Sequence, residues 1–131
     1  MKMNLKITYP NSDKVYLDGT IHPSVKVGMR LIRQTPTITI KDGKRIESPN
    51  PSIYIYDTSG PHGDANIAVD LERGLPPLRE AWIKERRAKD SENVCQMYYA
   101  KRGVITPEME YVAIRENMNC RELGIESHIT P

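Results

Sequence analysis

The sequence predicts an α+β domain: a small antiparallel or mixed sheet from the amino-terminal half, followed by about three helices. Two observations carry that prediction. Short runs rich in β-branched and aromatic residues, bounded by Gly, Pro, Asn and Asp, crowd the first seventy positions, whereas apolar spacings of three and four residues begin only after Gly74. Strands followed by helices, rather than alternating with them, argue against parallel βαβ architectures. A chain of 131 residues can bury one core without disulfides or metal as a substitute.

Taken in order, "LKITY" (residues 5–9), "KVYL" (14–17), "VKVGMRLI" (25–32) and "SIYIY" (52–56) predict strands. In "TITIKDGKRIE", Asp42-Gly43 tolerates the positive φ angles of a tight turn, so the runs on either side form a hairpin. The prolines of "SPNPS" (48–52) cannot donate to a ladder and predict a bend, and "IAVDL" (67–71) predicts one more short strand. "LPPLREAWIKERRAKD" predicts a first helix, with prolines in its opening turn, Leu78 beside Trp82 and Ala81 beside Glu85. Ser91 is expected to cap a second helix, "ENVCQMYYAKR", whose Val94, Met97 and Tyr98 form a core stripe and whose end is marked by Gly103.

Thr106 caps a third helix, Pro107 occupies the position where a missing N–H costs nothing, and Glu108 and Glu110 place negative charge in the first turns. At about 100° per residue, Met109, Val112 and Ala113 share one side of this helix, and Tyr111, Ile114 and Met118 lie roughly opposite. Two apolar sides imply either a helix sandwiched within the domain or one whose second side docks on something else.

Composition narrows the function. With 19 basic and 17 acidic side chains the net charge is only +2, which gives no strong field toward nucleic acid or an anionic membrane. No apolar run approaches the roughly 18 residues of a membrane span, and "MKMNLKITYP" lacks the order of a secretory signal, so a cytoplasmic protein is expected. Cys95 and Cys120 read as reduced thiols, too few to build a four-ligand zinc or iron–sulfur site by themselves. His22, His62 and His128 show no metal-ligand spacing and read as solvated loop residues. The basic run "KERRAKD" reads as a solvated helix face that complements the dipole.

The loop "YDTSGPHGD" (56–64) gathers Asp, Thr, Ser, Gly and His after a strand, where backbone amides can cradle phosphate. It lacks the GxxxxGK[ST] and GxGxxG spacings, and Asp57 and Ser59 bonding their own backbone in a turn is the preferred reading. No GxSxG elbow marks a serine as nucleophile, so a hydrolase using this loop is not expected. Asn117 projects between the two apolar sides of the third helix; an amide there reads first as a packing or helix-end residue.

"VCQMYYAKRGVITPEMEYVAIRENM" (94–118) closely resembles a signature stretch of the phosphomethylpyrimidine synthase family, and "YDTSGP" and "VDLERGLPPLREAWI" resemble two further blocks in the same order. "KVYLDG" and "VKVGMRLI" resemble its more variable start. The resemblance implies that residues 1–90 form the β-rich amino-terminal associated domain, and that residues 91–131 are a helical segment leading toward a (β/α) barrel absent from this chain. Family members also carry a later CxxCxxxxC motif holding a [4Fe–4S] cluster. They use S-adenosylmethionine, reductively cleaved to a radical, to convert aminoimidazole ribotide to hydroxymethylpyrimidine phosphate with release of formate and carbon monoxide. They form homodimers.

By position, the resemblance carries one substrate contact, the ribotide-binding amide, onto Asn117. The family's cluster cysteines, catalytic carboxylate and the histidine ligands of a further metal ion match no position here, so no cofactor is expected on this fragment. It is expected to be inert alone, a structural part of the longer enzyme. The chain departs from the family at "GPHGDAN", which leaves that loop without an inferred role. The alternative is a stand-alone binding or interaction module without catalysis.

Overall fold

Alternating apolar residues set the register of the central sheet. In the computed structural model, which describes residues 2–3, 9–61, 64, 66–90, 94–126 and 129–131, the elements run β1 (Lys2–Met3), β2 (Ser12–Asp18), β3 (Lys26–Ile32), β4 (Thr37–Lys41), β5 (Lys44–Ser48), β6 (Ile53–Tyr56), β7 (Val69–Asp70), α1 (Glu80–Lys89), α2 (Gln96–Lys101) and α3 (Pro107–Glu122). β2, β3 and β6 pair antiparallel in that order. The register places Val15 opposite Met29, Leu17 opposite Val27 and Met29 opposite Tyr56 on one face, and Lys14 opposite Arg30 and Tyr16 opposite Gly28 on the other.

The apolar face is the core. Val25, Val27 and Met29 are fully buried with Trp82 of α1 and Met118 of α3, and Val15, Leu17, Tyr54, Tyr56, Tyr111 and Ile114 pack around them. Each such buried aliphatic side chain contributes roughly 1.5–3 kcal/mol. Tyr111 meets Tyr56 edge-on at 6.4 Å between centroids and Trp82 at 6.2 Å, so aromatic contacts join sheet, α1 and α3.

The expected α+β class is observed: among the described residues, three small antiparallel sheets are followed by three helices. The hairpin is as expected: β4 and β5 flank Asp42 (φ 51°) and Gly43 (φ 71°), the paired positive angles of a two-residue turn. Most of the predicted strand at 5–9 lies outside the described residues, as does Ser91; Tyr9 is not in a strand. The strand predicted at 67–71 is reduced to β7, paired with β1, because the Asp70 carboxylate accepts from the Glu72 amide at 2.9 Å and turns the chain away.

The helices hold two corrections. α1 starts at Glu80, after the prolines rather than on them, and Leu78 stays outside it with 57% exposure. In α2 the buried residue is Tyr99, whereas Met97 is 64% exposed. A six-residue helix offers too few positions for the periodicity to fix its phase, and the Tyr99 hydroxyl, donating to Asp90 at 3.0 Å, selects the inward face. α3 matches its prediction: Thr106 Oγ1 accepts from the Met109 amide at 3.3 Å and Pro107 opens the helix. Its Tyr111, Ile114 and Met118 side faces the sheet; on the other side Ala113 is buried, Met109 half-buried and Val112 exposed, along a groove shared with Gln96 and Ile129–Pro131.

Candidate functional site

The polar face of the sheet and the loop after β6 enclose a cavity of about 500 Å³ lined by Lys14, Tyr16, Gly28, Thr58, Gly60 and Tyr111 among others. Strand alternation delivers Lys14 and Tyr16, and the register sets Lys14 across from Arg30. Asp57, just past β6, is the hub: its carboxylate lies 3.1 Å from Arg30 Nη2 and 3.4 Å from Lys14 Nζ and accepts from the Ser59 amide at 2.8 Å. The Asx turn anticipated for Asp57 and Ser59 is therefore present. The neighbouring Asp64 accepts from the Tyr16 hydroxyl and from the Asn66 amide, and Lys14 also donates to the Gly60 carbonyl.

The electrostatics of this cluster suit fastening rather than proton transfer. Burial opposes ionisation of Asp57, but hydrogen bonds from Ser59 and the charges of Lys14 and Arg30 hold its carboxyl below the usual range. Asp64 is likewise held low against burial, chiefly by Tyr16 and Asn66, and burial together with Asp64 pushes the Tyr16 phenol up. A base shifted down and an acid shifted up are both moved away from the neutral range in which general catalysis is efficient. Ser59 Oγ accepts from Arg30 Nη2 at 3.3 Å, and the Asp57 carboxylate beside it is held as a weak base.

A second buried cluster joins α3 to the β2–β3 turn. Glu110, with its side chain 2% exposed, accepts from the amides of Thr20 (2.6 Å), Ile21 (2.7 Å) and His22 (2.7 Å), and lies 2.8 Å from His22 Nδ1. Burial works against its charge, but these hydrogen bonds, led by the Ile21 amide, hold the carboxyl below its ordinary value. His22 is thus engaged by Glu110 and is not the solvated loop histidine expected; His62 and His128 lie outside the described residues.

The turn folds so tightly on itself, with Glu110 just beyond, that a side chain at Gly19 has no room. An added Cβ would sit 2.4 Å from the His22 carbonyl oxygen, 2.9 Å from Val25 Cβ and 3.1 Å from Glu110 Cδ. Gly19→Ala is expected to destabilise the fold by about 1–3 kcal/mol, read as a lower midpoint in urea, because backbone rather than a flexible side-chain tip blocks the methyl group.

A third cluster corrects the reading of "KERRAKD". Lys84 and Lys89 are exposed and pair with Glu80 and Glu85 one turn back, but Arg86 is buried: Nη1 donates to Glu108 Oε2 at 2.6 Å, Nη2 bonds the other oxygen, and Arg79 Nε adds a bond at 3.0 Å. Asn117, the one carried-over site residue, lies on the groove side of α3's last turns and donates from Nδ2 to the Ile129 carbonyl at 2.8 Å. It is not in the cavity lining.

Cys95 is exposed before α2 and Cys120 half-buried on α3; among the described residues no three His, Cys, Asp or Glu side chains gather as a metal would require. Among the described residues, none therefore gather as an iron–sulfur cluster requires, with cysteine thiolates converging on one site. No helix among the described residues is long and apolar enough to cross a membrane. Sequence reasoning missed the Glu110 and Glu108 clusters; two glutamates two positions apart at a helix start signal the dipole, while their partners lie far away in the chain. A sequence model of the ThiC-associated domain matches residues 8–90, more than half of the chain.

Proposed function

Since the chain belongs to the ThiC-associated domain family, which links it to an enzyme of thiamine biosynthesis, we propose that it is the amino-terminal structural part of a phosphomethylpyrimidine synthase. In this reading the longer enzyme converts aminoimidazole ribotide to hydroxymethylpyrimidine phosphate by radical chemistry, with S-adenosylmethionine, a [4Fe–4S] cluster and a further metal ion held by its barrel and carboxy-terminal regions. It works in the cytoplasm as a homodimer, without nucleic-acid or membrane partners. Residues 1–90 support the barrel, and residues 91–131 lead into it.

The observation that carries the reading is how the buried charges are used. Glu110 ties α3 to the β2–β3 turn, Glu108 ties α3 to α1, and Asp57 ties two strands to a loop. Their lowered carboxyl pKa values suit load and not acid–base work. The chain alone should yield no pyrimidine product, and joining the downstream region with a reconstituted cluster should restore it. Turnover by the isolated chain, or an unimpaired enzyme after deletion of residues 1–90, would overturn the proposal.

Asn117 is assigned to the ribotide in the longer enzyme, near the barrel entrance. Here its amide donates to the Ile129 carbonyl from the last turns of α3. Asn117→Ala in that enzyme is expected to raise KM for the ribotide about tenfold, the loss of one hydrogen bond to an anionic substrate, with a smaller change in kcat. An unchanged KM would remove Asn117 from the site.

A further inference from the structure

The hairpin β4–β5 stands apart from the core. All ten of its residues are exposed, Ile38 by 54% and Ile40 by 76%, and among the described residues only β5 pairs with β4. In a hairpin closed by a two-residue turn, the residues flanking the turn form a hydrogen-bonded pair and the ladder alternates from there. Lys41 pairs with Lys44, so the backbone groups of Thr39 and Thr37 point toward β5, and those of Ile38 and Ile40 point outward. β4 thus presents two unused donor–acceptor sets on an uncharged, β-branched edge, "TITI", while β5 guards its own edge with Lys44, Arg45 and Glu47.

We propose that this edge is the docking surface for the β4 edge of a second copy of the chain, the two strands running antiparallel about a two-fold axis at Thr39. The inference names a surface for the homodimer of the preceding reading, and its evidence is the hairpin alone. Only one register uses the whole edge. With Thr39 opposite its symmetry mate, Ile38 of each copy faces Ile40 of the other, and both pairs exchange two hydrogen bonds. A shift that sets Ile38 opposite Ile38 puts Ile40 against Pro36, which has no N–H, and a shift that sets Ile40 opposite Ile40 puts Ile38 against turn residue Asp42. In the favoured register four isoleucines form one patch on the two central β4 strands, each cross-strand row ending in Glu47 on one side and Arg45 on the other, so no like charges meet there.

The register makes the test specific. In a Cys95→Ser, Cys120→Ser background, Thr39→Cys should form a disulfide-linked dimer under mild oxidation, because a non-hydrogen-bonded cross-strand pair holds its Cα atoms about 4.5 Å apart. Thr37→Cys should remain unlinked, since its symmetry mate lies four residues along, about 14 Å away. In sedimentation of the otherwise native chain, Ile38→Pro removes an outward donor without touching a β4–β5 bond and should weaken self-association at least about tenfold. Equal crosslinking at both positions, or association unchanged by Ile38→Pro, overturns the surface while leaving a dimer possible elsewhere. If the longer enzyme is itself monomeric, the homodimer reading fails as well.

Discussion

Glu110→Ala is expected to lower the unfolding free energy by about 3–5 kcal/mol, enough to remove much of the stability of an ordinary domain. The carboxylate is buried and accepts from three successive backbone amides and the His22 ring; truncation leaves those donors without their shared acceptor. Each orphaned buried donor costs roughly 1–3 kcal/mol, while a surface carboxylate would cost almost nothing. Glu110→Gln keeps the shape and one acceptor but turns an N–H donor toward the His22 amide, so it should recover only part of the loss.

The sign of the pH dependence follows from the lowered carboxyl of Glu110. A group whose folded pKa lies below its unfolded value binds fewer protons when folded, so its contribution is complete above the unfolded carboxylate pKa and disappears as pH falls through the folded value. Chemical denaturation of the native chain and of Glu110→Gln across this acid range should therefore converge as pH falls. A constant gap between the two curves would mean that the charge of Glu110 contributes nothing.

What the sequence made legible was local. The hairpin turn needs only Asp42-Gly43, and the start of α3 needs only Thr106 and Pro107, so neighbouring residues determine both. The strands of the central sheet were legible because alternation is also local, whereas their pairing into β2, β3 and β6 was not. The phase of α2 was not, since Met97 and Tyr99 are both credible core residues in a six-residue helix and only a partner outside it decides between them. Glu110 was beyond reach for the same reason on a larger scale: its donors Thr20 to His22 lie about ninety positions earlier in the chain. Of the cavity cluster, the Asp57 turn could be read, whereas the convergence of Lys14 and Arg30 upon it required the register.

Glu108→Ala should cost about 3 kcal/mol, through the guanidinium that it abandons more than through the carboxylate removed. Arg86 is 8% exposed, makes a two-pronged contact with Glu108, and lies 5.9 Å from the centre of the Tyr99 ring, so removing Glu108 strips a nearly buried cation of its counter-ion. Burial would raise the Glu108 pKa, but the hydrogen bonds of Arg86, reinforced by Arg79, bring it down to about 2. The pair's contribution is therefore full above the ordinary carboxylate value and is lost as pH falls toward about 2. A double replacement, Glu108→Leu with Arg86→Met, removes both charges together and should restore most of the stability lost by either single change, since apolar groups of similar volume satisfy the same space. If the double variant is as unstable as Glu108→Ala, the cost lies in packing around α1 and α3 and not in the stranded charge. Recovery, with the acid sensitivity gone, would place it in the ion pair.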